Sequence, residues 1–286
     1  MSYTSFFSLC VALKEYIEDI LPTNTTDQPT IPFPTLPLEL RELIYRYAIL
    51  PGDPIARSQY LSFSAVDTAY GDDPRYLPWL PSLCRVNEAA RLDVSLFLLR
   101  IAEFSILYPA QIPPFILFLE TFPEGIGFSA IRRLDFQLFG RHRPLFGSGN
   151  PYIDFMKRCP NLSQIRIKFD VDYLAQQSWD WRDGAFMPPM KLQSFHRRVR
   201  ELHDIIAVYS LKGILELDRL NKLTIEAWPR VRVGDQYGVE NMLVDCAPMV
   251  RQLVQWLREG FRKKGREVEV LFVEASSPGL RWTGQI

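Results

Sequence analysis

From about residue 127 the chain keeps returning to one arrangement: a helical segment, a short turn, then Leu-x-x-Leu/Ile-x-Ile/Phe. The clearest cases are "NLSQIRIKF", with Leu162, Ile165 and Ile167, and "LNKLTIEA", with Leu220, Leu223 and Ile225. Apolar residues at every second position mark a strand with one buried face. A helix before each strand makes a βα unit, and successive βα units imply a mainly parallel sheet. The strands are expected at 131–139, 162–170, 221–228 and 266–275, with helices over 151–158 and 250–265 and a long helix or helix pair over 195–220. Gly265 is the expected stop of the last helix. The spacing between units is irregular, so the pattern is a degenerate leucine-rich repeat.

The first half is organised differently. Residues 1–21 place Phe6, Leu9, Leu13, Ile17 and Ile20 at three- and four-residue steps, an amphipathic helix rather than a signal peptide. Residues 22–35, "PTNTTDQPTIPFPT", read as a linker. A short helix follows over "LPLELRELIYRYAIL", with Pro37 in its first turn, where a missing N–H costs nothing. Its apolar residues form two stripes, Leu36–Leu40–Leu43–Tyr47 and Leu38–Tyr45–Ile49, and Glu42 and Arg46 are placed to pair four residues apart. Residues 51–80 read as an irregular loop. "SLCRVNEAARLDVSLFLLRI" reads as one helix with Leu83, Val86, Ala90 and Val94 inward, followed by a strand at 102–107 and a short helix at 113–122. "WDWRDGAFMPPM" at 179–190 reads as a surface insertion, where Trp179 and Trp181 are candidate anchors for a protein partner.

Composition removes several function classes. Lys plus Arg and Asp plus Glu are each 33, so the basic excess of a nucleic-acid binder is missing. No apolar run reaches the roughly 18 residues of a membrane span. The four cysteines, Cys10, Cys84, Cys159 and Cys246, are far apart and read as free thiols, which fits a cytoplasmic or nuclear home. Of three histidines, His196 and His203 fall two turns apart on the expected 195–220 helix, too far to share a metal without another element. His142 lies in a basic, glycine-containing loop without the order of a phosphate-binding motif. No Gly-x-Ser-x-Gly elbow occurs, and Asp180 and Asp183 read as a charged surface loop. The expectation is a protein that is not an enzyme and uses no cofactor and no metal.

The helix "LPLELRELIYRYAI" resembles the opening of an F-box, Leu-Pro-x-Glu-Leu-x-x-x-Ile, through Leu36, Pro37, Glu39, Leu40 and Ile44. It is similar to the fungal F-box-like proteins, whose second helix resembles "LCRVNEAAR" here. The resemblance is close over 33–106 and loose over 127–275. It implies an N-terminal F-box-like region (36–106) packed on a leucine-rich-repeat-like α/β region (107–286). It further implies that Leu36, Pro37, Leu40 and Ile44 dock a Skp-type adaptor of a cullin ubiquitin ligase, while the C-terminal part captures a protein substrate. The long stretch 51–80 between the two helices departs from the family pattern. An alternative therefore stands beside the adaptor: a stand-alone scaffold in which the F-box-like helices only cap the sheet.

Overall fold

The computed structural model describes residues 36–49, 73–77, 79–139, 149–169, 201–227 and 247–274, and the backbone of five short strands outside these ranges. In chain order the elements are α1 (Leu38–Ile49), β1 (Ser62–Ser64), α2 (Glu88–Ile101), β2 (Glu103–Ile106), α3 (Ile112–Glu120), α4 (Ile126–Ala130) and β3 (Arg133–Phe136). Then come α5 (Pro151–Arg158), β4 (Gln164–Phe169), β5 (Ala175–Ser178), β6 (His196–Val199), α6 (Leu202–Val208) and β7 (Lys222–Ala227). The chain continues through β8 (Arg230–Val233), β9 (Met242–Asp245), α7 (Ala247–Lys263) and β10 (Glu269–Glu274). The expected N-terminal helix, the linker, the His142 loop, Trp179 and Trp181 lie outside the described residues.

Six strands form one sheet in the order β1-β2-β3-β4-β7-β10, and every neighbouring pair is parallel. The order never reverses. Right-handed crossovers between successive neighbours lay all the connecting helices on one side, unlike a doubly wound sheet that switches direction. Burial agrees: β2, β4 and β7 each alternate between one buried and one more exposed residue. The expected α/β class and parallel sheet are therefore present. β1 and β2, from the stretch before residue 107, belong to the same sheet as the later strands.

The helix side is a single apolar core. In register across the strands lie Phe104, Leu134, Ile165, Leu223 and Val270, and below them Ile106, Phe136, Ile167 and Ile225, all buried. Aromatic rings fill the space between sheet and helices. Phe115 of α3 lies 5.1 Å from Phe104 and 5.7 Å from Phe155 of α5, centroid to centroid. Phe139 lies 5.3 Å from Tyr152 and 5.5 Å from Phe169. Tilted and edge-on pairs at these spacings add to the area they bury. Close packing leaves some glycine positions no room for a side chain: a Cβ on Gly213 would come within 2.4 Å of Ile153 on α5, and one on Gly127 within 2.6 Å of the Leu119 carbonyl.

Local signals explain the helix ends. The Asn87 side chain accepts a hydrogen bond from the Ala90 N–H at 2.8 Å, and Asn150 caps α5 by accepting from the Tyr152 N–H at 3.0 Å. α7 ends with Gly265 in the left-handed region at φ 70°, as its sequence predicts.

Four expectations are corrected. The segment 82–101 is not one helix: a 3-10 turn, Ser82–Arg85, is separated from α2 by the extended cap Asn87. Val86 falls in that break and is 67% exposed, Leu83 and Ala90 are half-buried, and only Val94 is fully inward. The segment 195–220, expected as a long helix or a helix pair, is helical only after its first residues. Its first residues form β6, paired antiparallel with β5, and α6 and a 3-10 turn (Leu211–Glu216) follow on either side of Ser210, whose φ of 53° breaks the helix. His196 and His203 therefore sit on different elements. The stretch 51–80 holds a strand, β1, which pairs with β2. Finally, Glu42 bonds not to Arg46 but to Arg100 of α2 at 2.8 Å. A tertiary partner wins over the local pair.

Candidate functional site

Two surfaces stand out, and the first is α1. The helix meets the body through a polar seam. Arg41 and Tyr45 both donate to Asp93 Oδ2 of α2, Tyr45 at 2.6 Å, and Glu42 pairs with Arg100 one helical level further along. Tyr45 is the one fully buried residue of α1, with its ring 5.6 Å from Phe97. Burial, reinforced by the hydrogen bond to Asp93, pushes its phenol up from the ordinary range. The predicted docking residues divide. Pro37 is exposed, whereas Leu36, Leu40 and Ile44 are half-buried. The apolar residues most open to solvent on this helix are Leu38 (41%) and Leu43 (38%). Neither was predicted as a docking residue. The signal was present, since both are large apolar side chains on a short helix, but the F-box spacing drew attention to their neighbours.

The second surface is the face of the sheet away from the helices. Strand register arranges its side chains in rows. One row runs Glu103, Arg133, Gln164, Lys222, Glu269; the next runs Ser105, Asp135, Arg166, Thr224, Leu271; a third holds Lys168, Glu226, Val273. A parallel sheet is usually apolar on both faces because helices cover both. Here one face is polar, and the described helices form a layer on the other. Along its edges the charges are matched: Lys168 pairs with Glu226 at 3.1 Å and Lys222 with Glu269 at 3.3 Å. At the centre, Asp135 is 4% exposed; its Oδ2 accepts from Gln137 Nε2, and its Oδ1 has no hydrogen-bond partner among the described residues. Burial first, and then the nearby Glu103 carboxylate, push its pKa up to about 6. Sequence reading missed these residues as a site. The signal was the x positions of the repeated Leu-x-x-Leu-x-Ile pattern, which are charged in strand after strand.

On the helix side, Ile153, Ile206 and Trp256 line an open groove of about 570 Å³ rimmed by Lys157, Lys212 and His203. His203 is three-quarters exposed and lies beside Glu201 and Asp204, at 3.3 and 3.1 Å. The cysteines Cys84 and Cys159 are buried, and burial raises both thiols, which makes them poor nucleophiles. Among the described residues no group of three His, Cys, Asp or Glu side chains is placed to hold a metal ion, and no helix is long and apolar enough to cross a membrane.

No family model matches this chain, and no curated protein matches it significantly.

Proposed function

We propose that this chain is a non-catalytic protein-recognition protein: an F-box-like adaptor that docks a Skp-type partner through α1 and presents the polar sheet face to a protein substrate. One observation carries the docking part. α1 turns Arg41, Glu42 and Tyr45 toward α2 and leaves Pro37, Leu38 and Leu43 to solvent. A short helix fixed by one polar edge, with leucines outward, has the form of a helix-in-groove ligand. The sheet face adds a broad polar surface on a rigid support, which suits partner recognition more than chemistry on a small molecule. A second reading rests on the half-burial of Leu36, Leu40 and Ile44, which fits a helix that only caps the sheet of a stand-alone scaffold.

The test is a pull-down of a purified Skp-type adaptor by the full chain and by Leu38→Asp and Leu43→Asp variants. Both positions are exposed enough to accept the charge and keep the fold, checked by far-UV circular dichroism. The adaptor reading expects binding by the parent and loss in the folded variants. A folded parent that binds no such partner leaves the helix as a cap and favours the scaffold.

A further inference from the structure

The middle row of the helix-free face contains an imbalance. Its edge charges are closed into pairs, Lys168 with Glu226 and Lys222 with Glu269. Asp135 is different. Strand alternation sends Leu134 and Phe136 into the core and aims Asp135 at the opposite face. It is 4% exposed, yet Oδ1 receives no hydrogen bond from a described residue. A buried carboxylate with one oxygen given no protein donor is costly to ionise. Native structures rarely leave such a group without a reason.

The register shows what could relieve it. Ser105 on one side is small, and Arg166 on the other is a long, exposed side chain hydrogen-bonded to no described residue. The charged groups that act on Asp135 from neighbouring strands are Glu103 of β2, Arg166 of β4 and Glu226 of β7, with Glu103 outweighing Arg166. Arg133 shares its own strand. Glu226 is already paired with Lys168, but Glu103 outweighs Arg166 at Asp135, which leaves the spot favourable to an added positive charge.

We propose that Asp135 is the anchor point of the sheet face and receives a basic side chain, lysine or arginine, from a partner protein. This deepens the reading of the chain as a recognition protein and rests on it. The incoming cation supplies the donor that Oδ1 lacks and offsets the repulsion between Glu103 and Asp135. Charge-assisted hydrogen bonds of this kind are the strong ones, above all with arginine, whose fork matches a carboxylate.

The experiment selects binders to the full chain from a displayed library of random 12-residue peptides and repeats each measurement on Asp135→Asn, a near-isosteric change verified as folded by near-UV circular dichroism. The expected peptides carry a lysine or arginine whose replacement by glutamine weakens binding about tenfold or more, as does Asp135→Asn. Binding to the parent should also fall about tenfold as pH drops from about 7.5 to about 5, because the Asp135 carboxyl takes its proton near pH 6. Peptides that bind Asp135→Asn as well as the parent overturn the proposal. So do acidic peptides that depend on Arg166, and so does the recovery of no binder. The adaptor reading fails separately, when the folded parent captures no Skp-type partner yet still binds the Asp135-dependent peptides.

Discussion

The two faces of the sheet share one backbone and differ in every side chain. On the helix side, Phe104, Leu134, Ile165 and Leu223 form an apolar row under a layer of aromatic rings. On the other side, one residue along, Arg133, Gln164 and Lys222 form a polar row. The first face is where the fold's stability resides, since burying apolar area is the main favourable contribution to folding. The second contributes little to stability and is free to specify a partner. The contrast teaches that a singly wound sheet separates the two tasks by strand periodicity alone.

The contrast breaks hardest on the helix side. Phe115→Ala removes a ring within 5.1–5.7 Å of Phe104 and Phe155 and leaves a cavity at the junction of α3, α5 and the sheet. The expected loss is about 3–5 kcal/mol, read from chemical denaturation. A loss below about 1 kcal/mol would mean that this layer is not a packed core. Overfilling the same side costs less. Gly213→Ala pushes a methyl group into Ile153 and should cost about 1–3 kcal/mol. A stabilised variant would show that the 3-10 turn can retreat from α5.

The opposite sign is expected on the polar face. Asp135 has a folded pKa raised to about 6, above its unfolded value near 4. Its favourable contribution is complete below about pH 4 and is lost as pH rises through about 6, where a buried carboxylate must ionise. Asp135→Asn should therefore stabilise the chain at pH 7 by about 1–2 kcal/mol and change little at pH 4. Thermal melts of both proteins across that range give the answer. A variant less stable at pH 7 would mean that the carboxylate supports the fold rather than straining it, and would weaken the case for a site.

Most of the repeat half was legible because alternation is a local signal. The strands 133–136, 164–169, 222–227 and 269–274 fall within the stretches that their pattern marked. So did Gly265 as a helix stop. The failures have a common cause, which is partners distant in sequence. β6 reads as helix until β5 is available to pair with it. Glu42 reads as a partner of Arg46 until α2 brings Arg100 near, 58 residues away. Asp93, which ties down α1, lies in a stretch where only helix periodicity can be read. Val86 fails for another reason: the cap Asn87 takes an extended conformation and ends the turn one residue earlier. The polar face itself was written in the strands. What could not be read was that the described helices would all lie on the other face, which depends on the strand order and not on any one strand.

The smallest effect sharpens the contrast most finely. Lys168 and Glu226 sit side by side on the polar face, each with a side chain about one-fifth exposed, 3.1 Å apart. They share strands with Ile167 and Ile225, their neighbours in sequence on the buried face. If the two faces divide the work as argued, Glu226→Gln should cost less than about 1 kcal/mol. That small cost should shrink further in about 1 M salt, where the screening length falls to about 3 Å. The same strand position shifted by one residue, Ile225→Ala, should cost about 2–5 kcal/mol and be indifferent to salt. A pair of denaturation curves at low and high salt compares them directly. Equal costs at 226 and 225 would mean that the charged face is structural, and the recognition role would then have to move to α1.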